Sequence, residues 1–214
     1  MSSLGRYDAI LFDLLSALLD SWTLWNDVAG DRDAGLRWRR AYLDVTYGVG
    51  AYRRYEDLLV ESAERAGLPR RLADDLVERW DDVQPWPEAP DVLTELARSY
   101  PVAVVTNCSE ALGIRAARRV DVPFSVVVTA ERSGFYKPDR RAYEAAQEAL
   151  GVPPDRILFV AGSPYDVGGA KAAGMPVLWH NRLGFDDATA KAGATFECDR
   201  LDALGPLTAG ATAD

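Results

Sequence analysis

Five short runs of apolar residues recur along the chain, each bounded by polar or turn-forming residues. Uninterrupted apolar runs of this length are typical of parallel strands that are buried on both faces of a sheet. We therefore predict strands over residues 9–15, 102–106, 125–129, 156–162 and 176–181. Segments with helical spacing of apolar residues follow the second, third and fourth runs. This alternation predicts an α/β fold whose core is a doubly wound, Rossmann-like parallel sheet.

The stretch from residue 20 to about residue 85 contains no strand-like run and shows helical periodicity instead. The proline-rich sequence QPWPEAPD (84–91) closes it, because proline interrupts a helix rather than continuing it. We therefore predict a helical domain, residues 19–87, inserted after the first strand. Residues 1–18 and 88–214 are then expected to form the Rossmann-like core.

Composition narrows the classes of partner. The net charge of −9 argues against nucleic acid and anionic membranes, which both require an outward basic field. The single histidine, His180, and two cysteines lack the spacing of a structural zinc site. Few cysteines suit a reducing compartment, and no apolar run resembles a signal peptide or membrane span. We expect a cytoplasmic protein with no nucleic-acid or membrane partner.

Polar residues follow four of the predicted strands, at the sheet edge where doubly wound folds bind their ligands. They are Asp13; Thr106 and Asn107; Lys137; and Ser163 and Asp166. Each type has an ordinary explanation, because aspartate caps turns, a lone lysine is usually solvated, and Thr-Asn pairs form turns. Their occurrence in this order on four strands is more specific and indicates one catalytic site.

The order Asp13, Thr106-Asn107, Lys137-Pro138 and Asp166 resembles the four motifs of the haloacid dehalogenase-like hydrolase superfamily. The resemblance extends along nearly the whole chain and is strongest to the L-2-haloacid dehalogenase (type II) branch, with the helical insert similar to its cap domain. The segment LRWRRAYLDVTY (36–47) resembles that branch's cap helix. This match places Arg39 at the halide-binding arginine, with Arg37 and Arg40 as alternatives if the register differs by one or two.

The resemblance implies a mechanism in which Asp13 attacks the substrate carbon that carries the leaving group and forms an aspartyl ester. Water then hydrolyses that ester. Lys137 is expected to hold the Asp13 carboxylate, and Asp166 to orient Lys137 or the water, or to act as a base. The cap is expected to exclude bulk water from the reaction.

The resemblance also implies how a small carboxylic acid is bound. Thr106 and Asn107 are expected to bind the substrate carboxylate, and Arg39 the departing halide, since arginine stays charged and offers several donors. Leu15, Trp22 and Ser163 are expected to line the substrate pocket. For Trp22 a helix packing face is an equally good interpretation. For Tyr42 and Tyr47 we favour an ordinary helix surface over the alternative of a cap pocket.

Position 15 bears on the use of a metal. The magnesium-dependent phosphatases of the superfamily carry a second acid two residues after the nucleophile and a pair of acids in the fourth motif. Here the first of these positions is Leu15, and the fourth motif supplies Asp166 but Ser163 in place of an acid. Magnesium requires hard oxygen ligands. We therefore expect metal-free chemistry without a cofactor, with magnesium needed only if the phosphatase alternative holds.

Several residues depart from the dehalogenase pattern, and they leave the substrate open. Leu15 stands for the usual tyrosine, Ala17 for threonine and Ser163 for asparagine, so that hydroxyl and amide groups near the nucleophile are expected to be lost. Ser16 stands for the usual glycine. An (S)-2-haloacid is the first expectation. Ring opening of azetidine-2-carboxylate, a magnesium-dependent phosphatase and a catalytically silent member are the alternatives. A homodimer also remains open, because related enzymes are often dimers.

Overall fold

The computed structural model describes residues 7–205 and contains one six-stranded sheet in that range. The strands are β1 (Ala9–Asp13), β2 (Val102–Thr106), β3 (Val126–Thr129), β4 (Ile157–Ala161), β5 (Val177–His180) and β6 (Phe196–Cys198). All neighbours are parallel, in the order β3-β2-β1-β4-β5-β6. The predicted α/β fold with a doubly wound, Rossmann-like sheet is confirmed, and the winding reverses at β1.

Two details of the sheet differ from the prediction. The first strand ends at Asp13 and not at residue 15, because the Asp13 carboxylate accepts hydrogen bonds from the N–H groups of Ser16 and Ala17 and closes a turn. The sixth strand, β6, was not predicted. It has three residues at the sheet edge, none of them fully buried, so it lacks the apolar run that marks the other strands.

Ten α-helices accompany the sheet within residues 7–205. Four follow β1: α1 (Ser21–Ala29), α2 (Arg32–Val49), α3 (Tyr55–Arg65) and α4 (Arg71–Glu78). The other six are α5 (Ala89–Leu96), α6 (Glu110–Arg118), α7 (Ala130–Ser133), α8 (Arg140–Leu150), α9 (Pro164–Ala172) and α10 (Ala188–Gly193). None of the helices in this part of the chain is both long and apolar enough to cross a membrane.

The helices α1–α4 form an insert whose two connections to the sheet run side by side. Leu19 and Pro85 form an antiparallel bridge. The N–H of Asp20 donates to the carbonyl of Gln84 over 2.8 Å, and the N–H of Trp86 donates to the carbonyl of Leu18 over 2.9 Å. Both connections therefore meet at one point near β1. The division into a domain of residues 19–87 and a core of residues 1–18 and 88–214 stays a prediction.

The sheet is apolar on both faces, as its continuous apolar runs require. Alternate residues of β1 point in opposite directions: Ile10 and Phe12 join the apolar cluster that extends into the insert, whereas Ala9 and Leu11 join a second cluster under α8 and α9. The insert packs around buried aromatic side chains, with Trp25 in contact with Trp38 and Trp80. A long α2 is thereby held over the carboxyl ends of the strands.

Candidate active site

Asp13 is the last residue of β1, at the point where the winding of the sheet reverses and a crevice is expected. The residue is buried, with 5% of its surface exposed. The carboxylate oxygens have different neighbours. Oδ2 accepts from the N–H of Ser16 (2.9 Å), the hydroxyl of Ser16 (2.6 Å) and the N–H of Ala17 (3.1 Å), whereas Oδ1 accepts from the ammonium of Lys137 over 2.7 Å.

Lys137 lies between two carboxylates. Its Nζ donates to Asp13 Oδ1 and, over 3.0 Å, to Asp166 Oδ2. Burial by itself lowers the pKa of Lys137, but the two adjacent carboxylates outweigh it and hold the pKa above its ordinary value. Burial raises the pKa of Asp13, but the charge of Lys137 and the hydrogen bonds from Lys137 and Ser16 hold it below its ordinary value. Asp13 is therefore ionised at neutral pH.

Asp166, in the first turn of α9, has both of its oxygens occupied. Oδ2 accepts from Lys137, and Oδ1 accepts from the hydroxyl of Tyr143 over 3.0 Å. Burial, reinforced by the charge of Asp13 and partly offset by Lys137, raises the pKa of Asp166. Its side chain is fully buried and lines neither of the cavities described below. This placement suits a residue that orients Lys137 better than one that contacts water directly.

Thr106 and Asn107 end β2 beside Asp13. The Asn107 amide pairs with the backbone of Lys137 in both directions: Nδ2 donates to the Lys137 carbonyl over 3.0 Å, and Oδ1 accepts from the Lys137 N–H over 2.7 Å. The Tyr42 hydroxyl of α2 donates to the Asn107 carbonyl over 3.0 Å. Asn107 therefore fixes the position of Lys137 and joins it to the insert.

Arg39 enters from α2 and is 2% exposed. Its Nη2 donates to the hydroxyl of Ser21 over 3.0 Å, and Nε and Nη1 have no hydrogen-bond partner among residues 7–205. The guanidinium carbon lies 4.6 Å from the ring centre of Trp25 and 4.8 Å from that of Tyr42. A buried cation held by aromatic faces with unsatisfied N–H groups is suited to bind an anion. The flanking Arg37 and Arg40 are exposed.

Most of the predicted site residues surround one small cavity, the inner cavity, of about 20 Å³. Its lining includes six of them: Asp13, Leu15, Arg39, Thr106, Asn107 and Lys137. Ser16, Tyr42, Leu43, Thr46 and Tyr47 complete it. This volume holds about one water-sized group, so the site is closed in this structure.

Trp22 and Ser163 do not line the inner cavity. They line a neighbouring pocket of about 730 Å³, the outer pocket, which shares the lining residues Ser16, Arg39 and Leu43 with the inner cavity. The Trp22 ring packs against Phe185, at 5.8 Å between ring centres. The expectation that Trp22 and Ser163 line the substrate pocket stays a prediction, and both residues share the outer pocket with Ser16 and Arg39.

Comparison with known proteins identifies the family. A model of the haloacid dehalogenase-like hydrolases matches residues 7–174. The chain belongs to the haloacid dehalogenase-like hydrolases. The (S)-2-haloacid dehalogenase of Pseudomonas sp. (strain YL) is 31% identical over 198 residues, which cover 82% of this chain and 83% of that protein. The haloacetate dehalogenase H-2 of Moraxella sp. (strain B) is 28% identical, over 84% of this chain and 88% of the relative.

A solved structure supports the family at the level of the fold. The L-2-haloacid dehalogenase from Xanthobacter autotrophicus superposes with a TM-score of 0.81 at 21% identity, over 97% of this chain and 100% of that chain. At this identity the match shows the fold alone. It agrees with the sequence-based resemblance to the L-2-haloacid dehalogenase branch, which the relatives also support.

Magnesium-dependent members of the haloacid dehalogenase-like hydrolases require an acid at position 15, and the residues present here do not fit that metal. Leu15 is apolar and 4% exposed. The ammonium of Lys137 occupies the space between Asp13 and Asp166, the two acids that remain. Among residues 7–205, no group of three or more histidine, cysteine, aspartate or glutamate side chains is placed to bind a metal. We derive no catalytic step through magnesium.

Sequence reasoning missed four residues of this hydrolase's site. The sequence comparison marks Ser16 only as a replacement for the usual glycine, but its hydroxyl makes the shortest hydrogen bond to Asp13. Tyr42 and Tyr47, interpreted as ordinary helix residues, line the inner cavity. Tyr143 contacts Asp166 from α8, and no pattern in the sequence marks it. One signal in the sequence could have indicated the two tyrosines. Tyr42 and Tyr47 follow Arg39 along α2 by three and eight residues, a spacing that places them on the same helix face as Arg39.

Cys108 follows Asn107 and is fully buried. Burial raises the pKa of its thiol to about 12, so at neutral pH it is a thiol and not a nucleophilic thiolate. His180 is also buried, and its Nδ1 lies 3.0 Å from the carbonyl of Ala17. His180 thereby contacts the turn that follows Asp13, and neither Cys108 nor His180 lines the inner cavity.

Proposed function

We propose that this chain hydrolyses (S)-2-haloacids through an ester of Asp13 and needs no metal. The observation that carries the proposal is the joint lining of the inner cavity by an ionised Asp13 and the buried cation Arg39. A carboxylate nucleophile and a separate anion site are the two groups required to displace a halide from carbon. The names of the relatives support the same chemistry for this chain.

In the first step, Asp13 Oδ1 attacks C2 of the substrate. The Oδ1–C2 bond forms, the carbon–halogen bond breaks, and the halide leaves with the bonding electron pair toward Arg39. Thr106 and Asn107 hold the substrate carboxylate, and Lys137 neutralises the charge at Asp13. Displacement at C2 inverts that carbon, so an (S)-2-chloro acid gives an (R)-2-hydroxy acid.

In the second step, water attacks Cγ of Asp13 and the Cγ–Oδ1 bond breaks. Oδ1 leaves as the hydroxyl oxygen of the product. Of the two protons of the water, one goes to Oδ1 and the other is released to solvent, so each halide is accompanied by one proton. Asp166 positions Lys137 during both steps through its 3.0 Å contact.

The alternative substrates fit the site less well. An azetidine ring opens with an amine as leaving group, and the cationic, unsatisfied Arg39 offers it no charge complement. Phosphoryl transfer lacks the acid that Leu15 replaces. A catalytically silent protein would not require a buried Lys137 between two carboxylates. Burial of these charged groups costs desolvation free energy.

Halide and product assays test the proposal. We expect chloride release from (S)-2-chloropropionate, little from the (R) enantiomer, and (R)-lactate as product. In a single turnover in H₂¹⁸O, the lactate is expected to be unlabelled while Asp13 gains ¹⁸O. Asp13→Asn should stop release, and Asp33→Asn, which removes an exposed acid on α2, should not. Absence of chloride release from both enantiomers, or release that Asp13→Asn leaves unchanged, refutes the proposal.

The same assays include the azetidine acid and p-nitrophenyl phosphate. Faster turnover of the first would assign ring opening as the function, and a chelator-sensitive turnover of the second would assign a phosphatase. We further propose a reducing cytoplasmic location, supported by the two free cysteines Cys108 and Cys198. A homodimer stays a prediction from the resemblance.

A further inference from the structure

The two oxygens of Asp13 differ in how many donors they already serve. Oδ1 accepts one hydrogen bond, from Lys137. Oδ2 accepts three, from the N–H and hydroxyl of Ser16 and the N–H of Ala17, at 2.9, 2.6 and 3.1 Å. A carboxylate oxygen has about two in-plane lone pairs, so Oδ2 is saturated and Oδ1 is not. Oδ1 is therefore the nucleophile, and Oδ2 becomes the carbonyl oxygen of the ester.

We propose that the Ser16 hydroxyl acts as an oxyanion donor that accelerates hydrolysis of the Asp13 ester. The inference rests on the proposed function. When water adds to Cγ, the Cγ=Oδ2 double bond becomes a single bond and its electron pair resides on Oδ2 as a negative charge. Three donors at 2.6–3.1 Å already point at that oxygen, distances typical of hydrogen bonds to a negatively charged oxygen. The charge returns to the carbonyl bond as Cγ–Oδ1 breaks.

The turn around Ser16 is held rigidly enough for this role. A Cβ atom at Gly162 would lie 2.7 Å from Ser16 Oγ and 2.2 Å from the Ala17 nitrogen, so the β4 loop packs directly against the turn. The carbonyl of Ser16 accepts from the indole N–H of Trp86 over 3.0 Å, and the carbonyl of Ala17 contacts His180. Donors that are fixed before the reaction stabilise developing charge without reorganisation.

The position of Ser16 makes its role specific to one step. Its hydroxyl reaches Oδ2 and not Oδ1, the atom that attacks the substrate. In the first step negative charge leaves the carboxylate, so a donor on Oδ2 gives no help to the attack and slightly restrains it. In the second step negative charge accumulates on Oδ2, and the same donor stabilises it. Removal of the hydroxyl should therefore slow the second step alone.

Rapid-quench single turnovers with (S)-2-chloropropionate separate the steps, because chloride reports ester formation and lactate reports ester hydrolysis. For Ser16→Ala and Ser16→Gly, we expect chloride release within a few-fold of the wild-type rate and lactate formation slower by about 10²-fold. Ester on the Asp13 peptide, measured by mass spectrometry, should approach full occupancy at steady state. Because alanine and glycine differ in size, an equal effect in both variants would not be due to packing alone.

The matched control is Ser62→Ala, which removes another buried hydroxyl, one that contacts Trp38 and not Asp13. It should leave the ratio of the two rates unchanged. If the wild type releases chloride but both Ser16 variants hydrolyse the ester at the wild-type rate, or slow both steps equally, Ser16 is not an oxyanion donor. If the wild type releases no chloride from any 2-haloacid, the proposed function fails and the role of Ser16 fails with it.

Discussion

Lys137 Nζ lies 2.7 Å from Asp13 Oδ1, with the two side chains 1% and 7% exposed. A second contact to Asp166 makes the lysine the only link between two buried acids within the described residues. Removal of one member of such a set leaves buried charge without compensation. The Lys137 ammonium therefore contributes both to the stability of the fold and to catalysis. Mutations can separate these two contributions.

We expect Lys137→Met to lower the free energy of unfolding by about 3–5 kcal/mol and to slow halide release by at least about 10²-fold. Asp13 and Asp166 would repel each other, and the pKa of Asp13 would rise toward neutral pH. The double variant Lys137→Met/Asp166→Asn should recover stability but not activity. Urea unfolding and a halide electrode measure the two quantities. Lys171→Met, at an exposed lysine, is the control, and recovery of activity in the double variant would contradict the role of Lys137.

Arg39 should bind halide ions in the absence of substrate. At a bromide concentration ten times the dissociation constant, bound halide stabilises the protein by about 1.4 kcal/mol. We therefore expect the melting temperature of the wild type to rise with sodium bromide at constant ionic strength. Arg39→Met should lose this rise and all turnover, whereas Arg40→Met, at the exposed neighbour, should keep both. An equal bromide response in Arg39→Met and the wild type would place the halide elsewhere.

Removal of Arg39 carries a second expectation, for stability. Its Nε and Nη1 lie buried with no partner in the described part of the chain, so folding desolvates them without replacement. Contacts with the Trp25 and Tyr42 rings offset part of that cost. In halide-free buffer, Arg39→Met should therefore unfold at a urea concentration equal to or above that of the wild type. A loss above about 2 kcal/mol would show that Arg39 is a structural residue instead.

The fold could be predicted because its signals are local. Continuous apolar runs marked β1 to β5 to within two residues, and helical periodicity marked the segment that holds α1–α4. The three-residue β6 carries no such run, since an edge strand with no fully buried residue needs little apolar character. Leu15 was assigned to β1 for its apolarity, although the hydrogen bonds of Asp13 had already ended the strand.

The site could be predicted in part. Asp13 ends β1, and Lys137 and Asp166 follow β3 and β4, so their convergence at one edge of the sheet follows from the topology. The role of Ser16 could not be predicted, because that role depends on which Asp13 oxygen its hydroxyl reaches. A residue-by-residue comparison shows only that a serine replaces the usual glycine. The assignment of Trp22 and Ser163 to the outer pocket depends on how the insert packs over the sheet, which no local pattern specifies.

The dependence of activity on pH follows from the three coupled groups. The pKa of Lys137 is held above 10.5, so the cation persists through neutral and moderately alkaline pH and is lost only as the pH rises through that raised value. We expect kcat/KM for (S)-2-chloropropionate to stay level up to at least pH 10. Circular dichroism at each pH excludes unfolding as a cause. A fall between pH 7 and 9 would mean that burial lowers the lysine pKa instead.

On the acid side, the pKa of Asp166 is raised above 3.8 and that of Asp13 is lowered below it, so Asp166 takes up its proton first as the pH falls. Protonation of Asp166 weakens its hold on Lys137. The acid limb of kcat/KM should therefore lie above pH 3.8 in the wild type and move to lower pH in Asp166→Asn, whatever activity remains. An acid limb that does not move in this variant would assign it to Asp13.

The apolar residue Leu15 is one reason to expect chemistry without a metal. Halide release by the wild type should be unchanged by EDTA and by added magnesium.

The variant Leu15→Asp tests position 15 directly. It restores the acid of the phosphatases but places a charge beside Asp13 in the inner cavity, so it should slow halide release through repulsion of the nucleophile's charge. It should not hydrolyse p-nitrophenyl phosphate in magnesium, because Lys137 still occupies the space between Asp13 and Asp166. Leu15→Asn, of the same shape without the charge, separates repulsion from loss of the apolar wall. If Leu15→Asp gained a phosphatase activity that EDTA abolishes, position 15 alone would decide the chemistry and Lys137 would not exclude the metal.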